Sequence, residues 1–192
     1  VGIVNALNWI DGLDGLACGV SLISLTTISF MLIPSHAFLA FSLIGSCAAF
    51  LRFNSHPASI IMGDSGSYLL GFALASLSVI YSSSSSTQEL PGIVSIEIIV
   101  FLLFVPLIDM LRVIFLRLKK LNSPFLGDRK HIHYILIDRG INHQKVVNII
   151  CSISVISLIP LFYLLNLPIK NIYAIVLIFL ILTNNSKFKM FI

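Results

Sequence analysis

The chain has 192 residues, of which 57% are hydrophobic and 10% charged, and its mean hydropathy is +1.02. No water-soluble domain tolerates that composition, so a soluble enzyme, a secreted domain and a disordered tail are excluded and the chain reads as a membrane protein. The net charge of +4 does not indicate a nucleic-acid partner, because the charged side chains fall between long apolar runs instead of forming a stripe of their own.

No Asp, Glu, Lys or Arg occurs in 16–51, 65–88 or 146–169, and a bilayer-crossing helix needs about 20 apolar residues. In chain order, spans are predicted at 16–33, 37–51, 68–81, 93–112 or beyond, 146–165 and 169–182. Backbone polar groups in hydrocarbon must be satisfied within their own segment, and these unalternating runs are too long for barrel strands. The expected fold is therefore an all-α, polytopic transmembrane bundle of about six spans, one integral-membrane domain over 1–192. Pro34, Pro91, Pro160 and Pro168 stand at or near span ends, where a missing N–H costs little. The stretch 82–92, with its run of serines, reads as a loop. Cys18, Cys47 and Cys151 lie in or beside spans without CxxC spacing and read as small apolar packing residues. Val1 opens the chain in mid-pattern, which predicts a cut end.

Numbering the loops alternately across the membrane puts eleven of the twelve basic residues on one side, with Lys170 alone on the other. By the positive-inside rule that side is cytoplasmic, and it comprises 1–15, 52–67, 116–145 and the C-terminus. All six aspartates fall on the same side.

Three of these loops carry chemistry. In 1–15, Asn5, Asn8, Asp11 and Asp14 surround two Asp-Gly steps just before an apolar helix, where free amides favour an anion or a polar ring edge. Asp14 alone reads as a helix cap, but a cap does not account for the four together. In 52–67, Asp64 stands at a helix start between Gly63 and Gly66, which suits either a cap or a ligand for Mg²⁺ beside phosphates. In 123–134, Arg129, Lys130, His131 and His133 fit a phosphate better than a metal, since zinc partners at a familiar spacing are missing. The two histidines, two residues apart, are expected to face the same way only in extended chain. Asp109, near the end of the fourth span, is expected chiefly to pair with Arg112 three residues on.

Taken together, NALNWIDGLDGLA at 5–17, NSHPASIIMGDSGS at 54–67, PLID at 106–109 with Arg117, and SPFLGDRKHIHY at 123–134 resemble the polyprenyl-phosphate N-acetylhexosamine-1-phosphate transferases of glycosyltransferase family 4. DRKHIHYILIDRGINHQKV at 128–146 is similar to the undecaprenyl-phosphate N-acetylglucosamine-1-phosphate transferase branch. The resemblance implies transfer of a sugar 1-phosphate from a UDP-sugar to undecaprenyl phosphate, with release of UMP. It places the reaction on the cytoplasmic face of a bacterial inner membrane, at the start of lipopolysaccharide or other cell-envelope polysaccharide synthesis. It implies Mg²⁺, or Mn²⁺ in its place, on Asp64. It sets Asp11, Gly12, Leu13, Asp14 and Asn54 around the uridine, and Asn8, Arg129, His131 and His133 near the diphosphate, with Asn5 in the same binding loop. The implied partners are the UDP-sugar, the polyprenyl phosphate and the membrane, with a homodimer left open. Ile61 stands where the family usually carries an aromatic, and Tyr134 where a further His is frequent. The family's adjacent-aspartate motif would precede Val1, which makes the chain the C-terminal part of a longer transferase that is inactive alone. A phospho-MurNAc-pentapeptide or other UDP-HexNAc donor stays open, as does a non-catalytic scaffold or a transporter half. A transporter would need ionisable groups near mid-membrane, whereas nearly all the charges here are at the rim.

Overall fold

The computed structural model describes residues 1–84, 91–121, 123–124, 127–165 and the single positions 168, 171, 175 and 176. The described residues form α-helices without strands: α1 (Gly2–Ile10), α2 (Leu16–Ser29), α3 (Pro34–Asn54), α4 (Gly63–Ser84), α5 (Pro91–Leu102), α6 (Phe104–Lys119), α7 (Ile132–Asp138), α8 (His143–Ser157) and α9 (Ile159–Leu164). α2 is the axis, with all of its residues buried and α3, α4, α5 and α8 around it. Four of its five hydroxyls bond back along the helix, among them Thr26 Oγ1 to the Leu22 carbonyl at 2.8 Å and Thr27 Oγ1 to that of Ile23 at 2.9 Å, while Ser21 Oγ has no partner among the described residues. The outer faces of α3, α4 and α6 carry exposed Phe38, Phe41, Leu69, Phe72, Leu111 and Phe115. Such a belt suits lipid and not water. Three helical stretches, Pro34–Asn54, Gly63–Ser83 and His143–Leu164, are long and apolar enough to cross a bilayer.

Three sequence expectations are corrected. The segment 1–15 is not all loop, because α1 occupies most of it. Ala6, Leu7 and Ile10 recur at helical spacing and bury one face of α1. That helix lies directly on α4 at Gly71, where a Cβ would meet the Val4 backbone at 2.9 Å. α4 runs into the serine run as far as Ser84, while 85–90 lie outside the described residues. The fourth span is two helices that break at Leu103. Pro106 has no N–H for the Leu102 carbonyl, and the Ser24 hydroxyl donates to that carbonyl instead. The fifth predicted span, 146–165, matches the stretch His143–Leu164, in which Leu158, two residues before Pro160, is an αR residue between α8 and α9. The sixth predicted span, 169–182, lies outside the described residues apart from three isolated positions.

Candidate active site

α2 leaves the α1–α2 corner and α3 returns to it, so the loops before α2, before α4 and before α7 meet at one end of the bundle. Gly15, at φ +78°, makes the turn into α2, a conformation that suits glycine. Its N–H donates to Asn54 Oδ1 at 3.1 Å, and Asn54 Nδ2 donates to the Ile60 carbonyl at 2.9 Å. Asn54 is buried and ties two loops together. Asn8 ties a third element in, because its Nδ2 donates to Asp64 Oδ1 at 2.8 Å and to Ser67 Oγ at 3.0 Å. Asp64 is exposed in the first turn of α4, next to Gly63 at φ +66°.

The segment from α6 to α7 closes the other wall. Asp109 Oδ2 meets His131 Nδ1 at 2.7 Å, while its Oδ1 accepts from Arg112 at 2.8 Å and from the Ile132 N–H at 3.0 Å. Arg112 also donates to the Lys130 carbonyl. Arg117, almost wholly buried, pairs with Asp128 at 3.0 Å and lies 4.9 Å from the Trp9 ring centroid. The Trp9 ring meets His131 edge-on at 5.7 Å. His131 has extended backbone as the cap of α7, and His133 is inside that helix, yet their rings are parallel at 5.6 Å. Extended chain is thus not required for the two imidazoles to face one way, because the helix begins between them.

Between the walls lies a cavity of about 230 Å³. Asn8, Trp9, Asp11 and Gly12 line it from α1 and the corner, Arg117 from α6, and Gly127, Asp128, His131 and Tyr134 from the segment that follows. Burial, then the negative charges of Asp64 and Asp14, push the Asp11 carboxyl up to about 7. On the opposite wall Arg117 and Lys130 both pair with Asp128, at 3.0 and 3.1 Å. His133 is fully buried, and neither ring nitrogen has a hydrogen-bond partner among the described residues. Burial, then neighbouring His131, bring its imidazole down to about 4, so it is neutral at physiological pH. A Cβ on Gly12 would overlap that ring.

The structure thus brings Asn8, Asp11, Gly12, Asp64, His131 and His133 to one place. It sets the remaining named residues elsewhere. Asn5 sits a turn earlier on α1, and Leu13 packs against the core. Asp14 turns to the α3–α4 loop, where Oδ2 meets His56 Nδ1 at 2.8 Å and accepts from the Ala58 N–H at 3.1 Å. Arg129 is exposed, paired with Asp138 at 3.1 Å and stacked 4.8 Å from the Tyr134 ring. Sequence reasoning missed Trp9, Asp128 and Tyr134 as cavity residues and treated Asp109 as a partner of Arg112 alone. The signal for Asp109 was present, since an ionisable group in an apolar span is functional by default.

Residues 1–82 match the family described as Glycosyl transferase family 4. The whole chain is 37% identical to a probable undecaprenyl-phosphate N-acetylglucosaminyl 1-phosphate transferase of Bacillus subtilis, covering 56% of that protein. Over 78% of its length it is 38% identical to decaprenyl-phosphate N-acetylglucosaminephosphotransferase of Mycobacterium tuberculosis, covering 42% of it. Over 83% it is 35% identical to phospho-N-acetylmuramoyl-pentapeptide-transferase of Prochlorococcus marinus, covering 45% of it. The chain spans about half the length of these curated relatives. With the match over α1 to α4 and relatives that share the segment through α8, the chain belongs to glycosyl transferase family 4.

Proposed function

We propose that the cavity is the phosphoryl-transfer site of an enzyme that passes N-acetylglucosamine 1-phosphate from UDP-N-acetylglucosamine to undecaprenyl phosphate, to start a cell-envelope polysaccharide. An oxygen of the lipid phosphate attacks the sugar-bearing phosphorus. The bond from that phosphorus to the bridging oxygen breaks, and the oxygen leaves with UMP. The observation that carries this reading is that Asp11 and the His131 imidazole line one polar cavity at the end of an apolar bundle, with the Asp64 carboxylate tied to its wall through Asn8.

Those two carboxylates fit a divalent cation, since Asp64 is exposed and Asn8 engages only its Oδ1. Asp64, with Asp11 beside it, would hold Mg²⁺ or Mn²⁺, which draws off diphosphate charge as the bond breaks. The chain's own groups do the rest. Asp109 fixes His131 so that its Nε2 is left for a phosphate oxygen, and neutral His133 supports the Gly12 backbone at the nucleotide side. Asp14, Leu13 and Asn54 act in this scheme by shaping the corner. Arg129 reaches the diphosphate by leaving Asp138, an exposed pair whose loss costs about 1 kcal/mol or less. The active end faces the cytoplasm in this reading, which the distribution of basic residues along the sequence supports.

The test uses membranes that contain the protein carrying this chain, supplied with undecaprenyl phosphate, Mg²⁺ and one UDP-sugar at a time. UMP release with UDP-N-acetylglucosamine, lost in Asp11→Asn and His131→Ala, is the expected result. Release with the UDP-MurNAc-pentapeptide alone would overturn the donor. Activity that survives both substitutions would overturn the site.

A further inference from the structure

Asp14, His56 and His143 are brought together at the corner by three separate elements, and none of them lines the cavity just described. One ligand atom from each lies within 4.8 Å of the other two. We propose that this cluster is a second metal site, distinct from Asp64, which takes a borderline divalent cation of the zinc class and pins the start of α8 to the α1–α2 corner.

The donor set selects that class. Two imidazole nitrogens and one carboxylate oxygen suit Zn²⁺, Co²⁺ or Ni²⁺, whereas Mg²⁺ demands oxygen ligands and retains its waters. The groups are in the right state, because the His56 and Ala58 hydrogen bonds, against the opposing effect of burial, hold the Asp14 carboxyl below the usual carboxylate range. Access is open, with the His56 side chain 43% and the Asp14 side chain 29% exposed. A void of about 20 Å³ is lined by Asp14 and His56, enough for one water as a fourth ligand, and Ser55, Gln144 and Asn148 add polar groups to its wall.

The geometry also says what must move. The His56 and His143 rings are stacked, with centroids 4.0 Å apart and planes 17° from parallel. A metal lies in the plane of each ring that binds it, so two stacked rings cannot share one ion until one turns about its Cβ–Cγ bond. His143 is the ring free to turn, because its Nε2 is held only by a 3.4 Å contact with the Asp14 carbonyl. His56 then exchanges its Nδ1–H hydrogen bond to Asp14 for a metal bond, with its proton moved to Nε2. Nothing is oxidised or reduced.

The chain purified in detergent without a histidine tag, titrated with Co²⁺, reads the site through the visible bands of a nitrogen- and oxygen-ligated ion. One equivalent should bind, be displaced by Zn²⁺ and resist millimolar Mg²⁺, and Zn²⁺ should raise the midpoint of thermal unfolding. His56→Ala and His143→Gln should each abolish this uptake, with helicity by circular dichroism unchanged, while Asp64→Asn should keep it. Gln in place of His143 keeps a polar side chain with an N–H donor at the start of α8, which guards against loss of folding. Absence of saturable Co²⁺ or Zn²⁺ uptake by the parent chain, or uptake that survives both histidine substitutions, would overturn the proposal and leave the three residues as a hydrogen-bonded latch.

Discussion

His131 Nδ1 lies 2.7 Å from Asp109 Oδ2, with both side chains buried. The relation joins α6 to the cap of α7 and explains why a carboxylate belongs near the end of an apolar helix. Asp109 accepts a hydrogen bond from Nδ1–H and so holds the ring, and its other oxygen accepts from Arg112 and the Ile132 N–H. A carboxylate on one ring nitrogen sets the tautomer that the other presents.

Asp109→Asn removes the charge and replaces one acceptor with an amide donor. If His131 acts on the transferring group, the turnover number kcat should fall by about 10² to 10⁴, the range seen when an imidazole loses its orienting carboxylate, with KM for the UDP-sugar little changed. UMP release by folded protein, normalised to the amount that elutes as a single species in detergent, checks this. A loss confined to the yield of folded protein would reduce Asp109 to the structural partner of Arg112.

Gly12→Ala tests the contact between the corner and the histidines. The added Cβ would overlap the His133 ring and come within 2.9 Å of the Tyr134 hydroxyl. Overpacking of this kind costs about 1 to 3 kcal/mol. His133 is enclosed, so the strain should be relieved by displacing the corner that carries Asp11. Activity should fall by at least tenfold, with a modest drop in thermal midpoint, and Gly2→Ala, where a Cβ meets nothing, should change neither.

Much of this was legible in the sequence, and the remainder was not for identifiable reasons. Apolar runs located α2, α3, α4 and α8 because hydrocarbon leaves helices as the only solution for such segments. The chemistry-bearing loops stood out because carboxylates, amides and imidazoles are conspicuous beside those runs. α1 was hidden by its polar residues, although Ala6, Leu7 and Ile10 carried a helical period. The break at Leu103 depends on Ser24 standing opposite the carbonyl that Pro106 cannot serve, a long-range fact that no local pattern contains. Asp14 and Asp11 are three residues apart and looked equivalent. Only the return of α3 and α8 to the corner separates them, one toward His56 and the other toward the cavity.

The Arg117–Asp128 pair is predicted to support stability in a pH-dependent way. Arg117 is 2% exposed, and its hydrogen bonds to Asp128 hold that carboxyl well below the usual range. A depressed carboxyl contributes stability above its unfolded value of about 3.9, and that contribution is lost as pH falls toward the folded value. Asp128→Asn should destabilise by on the order of 3 kcal/mol at neutral pH by leaving a buried guanidinium without its counter-charge. The gap between parent and variant midpoints should begin to narrow below about pH 4 and close only as pH approaches the folded value. A gap that stays constant with pH would show that Asp128 acts through hydrogen bonding alone.

The orientation of the bundle can be read from two positions. Ser35 lies in the first turn of α3, at the end of α2 away from the corner, and Arg139 ends α7 on the side of the cavity. Both are exposed, whereas Cys18, Cys47 and Cys151 are buried, so an introduced thiol would be read against a low background. The nine basic residues among the described ones, Arg52 to Lys145, lie toward the cavity end, and short loops rich in Lys and Arg are retained in the cytoplasm. In intact cells an impermeant maleimide should label Ser35→Cys and spare Arg139→Cys, and permeabilised cells should label both. The cavity would then open where UDP-sugars are made. Labelling of Arg139→Cys from outside would invert the bundle and remove the proposed donor from reach.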